Sequence, residues 1–419
     1  MFILIFNSCK ILLLSSINIY FFNLTYCYYN KKILQLFFLP NDYSTVIFDK
    51  KITATHYSKS NIQDVENIQI GMEATNVYWV HAFRFLGDYK PLNLNYNLIM
   101  YRLNPKIVKN FKKAYNDLPK TDGIDAWIIT DRLRFGRVKA SKVLQKSYEP
   151  LLQSTRFRFN LAHSIRAEKN RALNLIFLKF SNYNEEAPFS AFSKASMALL
   201  SKYSPDQIAT TDIQKLADFL LQNSNNRLGG DTPIEEIAKT IKKAARNAYR
   251  LTPDMNDAVS RTLSMTFDNI KFMQSQLAKI NKVIKRQLKA IPQALTTVPG
   301  LGDVFSAGII SEIDDVNHFD GQAALANMAG LTWSKYQSRP FEAEDTYLKK
   351  KGNKYLRYYL VEAANSLRVR NEEYRRYYLK KYHESSTHKH KRALVLTARK
   401  LVRLVFALLS KGEIYQPRR

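Results

Sequence analysis

Three carboxylates, Glu73, Asp122 and Asp125, and one hydroxyl, Ser338, are the side chains whose types and settings suit them to chemistry. Glu73 closes Glu66-Asn-Ile-Gln-Ile-Gly-Met72, a run that reads as a strand. Asp122 and Asp125 lie three apart, so on a helix they share a face. A strand-end carboxylate with a helix-borne pair supplies the hard oxygen ligands that Mg²⁺ takes. Such ions activate an attacking hydroxyl and stabilise a leaving oxygen in phosphoryl transfer. Read singly, Asp122 and Asp125 are better explained as solvated surface charges or as helix N-terminal charges favoured by the dipole. Asp131 does not repeat the turn spacing and is set aside. Ser338 lies in Leu331-Thr-Trp-Ser-Lys-Tyr-Gln-Ser-Arg339, among cations. A lone serine is ordinarily a solvated loop residue. The nearest histidine is His318 and there is no G-x-S-x-G turn, so as a nucleophile Ser338 needs cations, a metal or a carboxylate from another domain.

Upstream, Val298-Pro-Gly-Leu-Gly302 runs into the apolar Val304-Phe-Ser-Ala-Gly-Ile-Ile310. A glycine hairpin opening a helix turns free backbone N–H groups toward a phosphate. This is the form of helix-hairpin-helix grips, which hold DNA without reading its sequence; the plainer reading is a tight turn between helices. Gly300 and Gly302, with Lys335, Lys351, Asn353 and Arg357 downstream, are the candidate nucleic-acid contacts.

The elements that must position these residues follow from periodicity. Residues 1–39 are strongly apolar, and two readings stand. Three strands at about 2–6, 17–24 and 32–39 are one; a signal or membrane anchor is the other. Asn7, Lys10, Asn18 and Asn23 interrupt the runs before the ~20 residues needed to span, which favours strands and no membrane. A strand at 66–72, a helix from a Thr75 cap to about 86, a strand at 97–103, a helix opened by Pro105 and a helix capped by Thr121 complete a mixed sheet. From about 140 to 290 the pattern is helical. Leu263, Ile270, Leu277 and Ile284, with Thr266, Met273, Ile280 and Gln287, form a heptad seam for packing within the subunit or between subunits. A helix near 353–370 has the apolar face Leu356, Leu360, Ala363, Ala364 and Leu367, and the last fifty residues are basic and helical.

The expected fold is α/β plus all-α. A mixed-sheet domain spans 1–150, and a helical, coiled-coil-like region spans 151–290. A helical domain with the hairpin-like motif spans 291–375, and a basic helical tail spans 376–419. The 419 residues carry a net charge of +28, which calls for a polyanionic partner, nucleic acid before membrane. Only Cys9 and Cys27 occur, without zinc-ligand spacing, which fits a reducing cytoplasm.

These segments together resemble the insertion-sequence transposases of the IS-one-ten group. The C-terminal resemblance spans about 291–375. It rests on Val298-Pro-Gly-Leu-Gly302, Phe319, Ala329-Gly-Leu-Thr332, Tyr336-Gln-Ser338, Lys351-Gly-Asn353, Leu356-Arg357 and Ala363-Ala364. The N-terminal one rests on Gly71-Met-Glu-Ala-Thr75, Asn104-Pro105 and Lys120-Thr-Asp-Gly-Ile-Asp-Ala126. The resemblance implies that the mixed-sheet domain at 1–150 is RuvC-like, with an RNase H-like fold. It implies an Asp-Glu-Asp-Asp metal set whose last three members are Glu73, Asp122 and Asp125, with Asn7 where the first aspartate is expected. It implies Ser338 as the nucleophile of a covalent DNA intermediate, Mg²⁺ as cofactor, a structured guide RNA, and a homo-oligomer, dimer or tetramer, with the acids and serine forming a composite site. Arg339 and Pro340 stand where glycine usually follows the serine, and Asn76 where glycine is common. With Asn7, these departures raise the alternative of a catalytically decayed copy that only binds nucleic acid.

Overall fold

The computed structural model describes residues 2–6, 10–14, 25–29, 32–36, 67–74, 78–88, 90–95, 97–115, 118–119, 122–136, 138, 148–224, 228, 232–333, 337–338, 341–342, 348 and 351–417. The chain divides into two compact units, Met1–Leu144 and Gln145–Arg419.

In the first unit, strands β1 (Phe2–Phe6), β2 (Lys10–Leu14), β3 (Thr25–Tyr29) and β4 (Lys32–Leu36) are successively antiparallel. Then come β5 (Asn67–Glu73), helices α1 (Tyr78–Asp88) and α2 (Lys90–Asn95), β6 (Asn97–Leu103), α3 (Pro105–Lys112) and α4 (Asp122–Arg134). The sheet order is β4-β3-β2-β1-β5-β6. β1 runs antiparallel to β5, whereas β5 and β6 are parallel and joined across α1 and α2, as parallel strands require. The sheet is therefore mixed. The strand expected at 17–24 lies outside the described residues, as do the caps Thr75 and Thr121. β3, Thr-Tyr-Cys-Tyr-Tyr, is a β-branched and aromatic run that periodicity alone did not single out. Asn104 caps α3, its Oδ1 accepting from Lys106 N at 2.9 Å, with Pro105 in the first helical position. α4 lies across β5 at Gly71, where a Cβ would stand 2.6 Å from Leu133 Cδ1 and 3.2 Å from Ile129 Cγ2. The missing side chain lets the helix bearing Asp122 and Asp125 close onto the strand that ends in Glu73.

The second unit is helical: α5 (Tyr148–Lys179), α6 (Tyr183–Glu186), α7 (Lys194–Lys202), α8 (Pro205–Thr210), α9 (Ile213–Asn223), α10 (Ile234–Asn247), α11 (Pro253–Leu288), α12 (Asp303–Ile313) and α13 (Gln322–Ala329). A short hairpin, β7 (Gln337–Ser338) with β8 (Phe341–Glu342), precedes α14 (Lys354–Arg370), α15 (Glu372–His383) and α16 (Lys389–Lys411). α5 and α11 form a long antiparallel pair. Arg158 Nε donates to Asn281 Oδ1 at 2.8 Å, and Asn269 Nδ2 to Glu168 Oε1 at 3.4 Å. Two cores sit along this pair. Ala172 and Ile176 pack with Leu263, Phe267, Ile270 and α7 to α10. Leu151 packs with Ile284, Leu288 and the buried faces of α12, α14 and α16. The heptad seam thus packs within its own chain at Leu263, Ile270 and Ile284, all fully buried, while Met273, Leu277 and Ile280 between the cores are half-buried.

Candidate active site and nucleic-acid interface

Glu73 is the last residue of β5, opposite Leu103 at the end of β6, and the next N–H, from Ala74, donates to Leu103 O at 2.8 Å. It therefore stands at the carboxyl edge of the parallel pair, where α/β sheets place their ligands. Asp125, one turn into α4, accepts from Lys112 Nζ of α3 at 2.5 Å, and its side chain is about a third exposed. Asp122 opens α4, but its side chain lies outside the described residues. Asp131, set aside on spacing, is buried and structural: it accepts from the Tyr115 hydroxyl and from Arg134 Nε at 2.7 Å. The hydrogen bond to Asp131 holds the Tyr115 phenol above its ordinary pKa. Among the described residues no group of three His, Cys, Asp or Glu is arranged to hold a metal. The donor chemistry of Glu73 and Asp125 suits a hard divalent ion, and an ammonium already lies against Asp125. Asn7 lies outside the described residues.

In the second unit Ser338 ends β7, paired with Phe341 of β8, and a bridge between Trp333 and Leu348 closes the base of this hairpin. The Ser338 side chain, and Lys335, Arg339 and Pro340 altogether, lie outside the described residues. Past the hairpin, Lys351 is exposed and Gly352 has φ +125°; a Cβ there would stand 2.3 Å from Met328 O. The close approach lets Asn353 N donate to Met328 O at 2.6 Å. Asn353 caps α14, its Oδ1 accepting from Tyr355 N and Leu356 N, while its Nδ2 donates to Glu312 Oε2 at 2.6 Å. Arg357 Nη1 donates to Ala329 O at 3.0 Å, and burial pulls its guanidinium below the ordinary value. Of the predicted contacts here, Asn353 and Arg357 are bonded into the fold and Lys351 faces solvent.

The network that holds Asn353 was not apparent in the sequence. Glu312, buried in α12, takes a bidentate bond from Arg156 of α5, Nε to Oε1 at 2.7 Å and Nη2 to Oε2 at 2.8 Å. Beside it Thr155 Oγ1 and Ser311 Oγ are 3.1 Å apart, and Tyr359 Oη donates to Thr155 O at 2.6 Å. Burial drives the Tyr359 phenol well above its ordinary value. A Cβ on Gly308 would fall 2.3 Å from the Tyr359 ring, so this glycine is the notch into which Tyr359 fits. The only sequence sign was a glycine within an apolar helix.

Val298-Pro-Gly-Leu-Gly302 is a tight turn: Leu301 N donates to Val298 O at 2.9 Å, and Val298 and Leu301 are buried. Gly300 has φ +95° and packs on the end of α14, a Cβ there lying 3.1 Å from Arg370 Cβ. Gly302, exposed, is the N-cap of α12 and has open space around its Cα. Alongside, Lys285, Lys289, Gln293, Thr296 and Asp303 line a concavity of about 320 Å³. Asp303, the first residue of α12, pairs with Lys285 at 3.5 Å, so this helix N-terminus has a carboxylate as well as cations at its rim.

Residues 292–379 match the profile of the Transposase IS116/IS110/IS902 family, and residues 42–180 match a transposase profile of the DEDD type from IS110 elements. Asn7 lies outside the matched span. An insertion element IS116 uncharacterized 44.8 kDa protein of Streptomyces clavuligerus is 24% identical over 325 residues, 74% of this chain and 76% of that protein. An insertion element IS110 uncharacterized 43.6 kDa protein of Streptomyces coelicolor is 25% identical over 207 residues, 46% of this chain and 50% of its own length. Both matched segments are transposase domains, and Glu73, Asp122 and Asp125 fall in one and Ser338 in the other. The chain belongs to the IS110/IS116 family of insertion-sequence transposases.

Proposed function

We propose that this transposase exchanges DNA strands through a covalent link between Ser338 and DNA. The Ser338 Oγ attacks a backbone phosphorus; an Oγ–P bond forms, one P–O bond of the DNA breaks, and the departing oxygen takes up a proton. A second exchange reverses the step on another strand. The observation that carries this reading is the presence in one chain of both matched transposase segments, one bearing the carboxylates and the other the serine. Glu73, Asp122 and Asp125 would hold Mg²⁺, which when bound supplies Lewis-acid stabilisation of the reacting phosphate oxygens. The turn at Gly300 and Gly302, flanked by Lys285 and Lys289, holds the DNA backbone. Lys335 and Lys351 add charge, and Asn353 and Arg357 position the segment that presents Ser338. A structured RNA choosing the DNA sites and a dimeric or tetrameric assembly complete the proposal, and the +28 charge suits such an assembly. A second reading, a decayed copy that binds nucleic acid without cutting it, is favoured by Arg339-Pro340 after the serine, which restricts backbone that glycine leaves free.

The test is a covalent-adduct assay with element-end DNA, flanking RNA and Mg²⁺. The native protein is expected to give an SDS-resistant protein–DNA species that Ser338→Ala abolishes and Glu73→Gln or Asp125→Asn strongly reduces. An adduct that survives Ser338→Ala removes the serine from the mechanism. An adduct seen only with Asn7→Asp identifies one lesion in a decayed enzyme. DNA binding without adduct in every version supports the binding-only reading.

A further inference from the structure

α16 carries a feature that the site above does not use. Lys389, Arg392, Leu396, Arg399, Lys400 and Arg403 fall within one side of this helix by the 100° step per residue. Ala393, Thr397, Ala398, Leu401, Val402, Val405 and Leu408 are buried in the core on the other. Lys389, Arg392 and Arg403 are exposed, and Arg399 and Lys400 are half-buried. Arg399 Nη1 donates to Gln322 Oε1 at 2.5 Å, and Lys400 pairs with Glu373 at 2.7 Å. α15 lies against this helix and adds exposed Arg375, Arg376 and Lys380. Between residues 372 and 411 there are eleven Lys and Arg against three Glu, so the excess positive charge is uncompensated.

We propose that the α15–α16 hairpin is a second DNA-backbone contact, binding duplex that flanks the segment held at the glycine turn. This rests on the transposase reading above, and the row on α16 lies beyond the matched segments, which end at 379. Two observations choose duplex backbone over single strands. The tyrosines of the hairpin are already engaged with cations: Lys400 lies 4.8 Å from the Tyr377 ring and Lys389 5.9 Å from that of Tyr382, so the rings are not open stacking platforms. The charges also run straight, Lys389 to Arg403 covering about 21 Å, or about six base-pair steps. Tyr415 N, just past the helix, donates to Thr297 Oγ1 at 2.9 Å, so the C-terminal end of α16 lies near the turn that bears Gly300 and Gly302, and the row lies farther back along the helix, from Arg403 to Lys389.

The test measures binding of the full-length protein to labelled duplex DNA and duplex RNA over a salt series, for native protein and the K389Q/R392Q/R403Q variant. Losing about three phosphate contacts is expected to make the log–log salt slope for DNA shallower by about 2.7 and to weaken low-salt affinity at least about tenfold. A charge-conserving K389R/R392K/R403K variant is expected to keep the native slope, and equal thermal melts establish that all versions are folded. A native slope in the neutralised variant overturns the inference while leaving the transposase reading intact. A change confined to duplex RNA overturns DNA as the occupant. A native protein that binds no DNA defeats both this inference and the reading beneath it.

Discussion

Lys179 closes α5 in a setting few lysines occupy. Its side chain is buried, Nζ donates to Leu200 O at 2.6 Å, and burial pushes its ammonium down to about 8 from 10.5. Between those values the folded chain binds fewer protons here than the unfolded one, so stability rises with pH across that window. Below about pH 8 the cost of the buried charge is fully present; above it, the cost is relieved. Thermal melts of native protein and Lys179→Met should therefore differ by a constant amount below pH 7. Between pH 8 and 10.5 the native protein should gain on the variant. A difference that stays flat throughout would mean that Lys179 is solvated as an ordinary lysine. Residue chemistry of this sort was partly legible in the chain. The place of Glu73 was, because an apolar run ending in a carboxylate marks a strand end. The Arg156–Glu312 pair was not, because its members lie 156 positions apart and only the fold joins them.

At the scale of elements, two glycines of one segment have opposite roles. Gly308 makes room for Tyr359 between α12 and α14, and Gly302 stands in open space at the start of α12. Gly308→Ala is expected to cost about 1–3 kcal/mol through overpacking and to lower Tm by several degrees. Gly302→Ala should melt like the native protein yet bind DNA several-fold more weakly, because the added methyl lies on the approach to the α12 N-terminus. Calorimetry and DNA-binding isotherms separate the two effects, and a Gly302→Ala protein with native affinity would remove the turn from the interface. The strand at 97–103 was read to the residue, since its apolar run is bounded by Asn97 and the Asn104-Pro105 cap. The strands at 10–14 and 25–29 were not, because short apolar runs in residues 1–39 give no period to choose between strand and helix.

For the whole molecule, the separate cores make a direct prediction. Every buried residue of the two helical cores comes from the second unit. A fragment covering 145–419 should therefore melt cooperatively on its own and keep salt-dependent DNA binding without the sheet. Circular dichroism melts and anisotropy titrations of that fragment check it, and a non-cooperative melt would count against independent folding. The division between sheet and helices was legible from periodicity. The partner of the heptad seam was not, because the same seven-residue pattern serves a neighbour within the chain or a second copy. That partner is α5, and the pairing constrains how the length of the protein can change in evolution. Both helices enter one core and emerge into the other. Deleting one residue from α11 between Ile270 and Ile284 would turn everything beyond it by about 100° and shift it by about 1.5 Å. One core would then present its polar face inward. Matched insertions of seven residues in both helices nearly preserve phase, slipping it by only about 20° while moving the cores about 10 Å apart. The distance between the two cores is therefore free to change only in steps close to whole numbers of helical turns, about seven, eleven or eighteen residues, taken by both helices together.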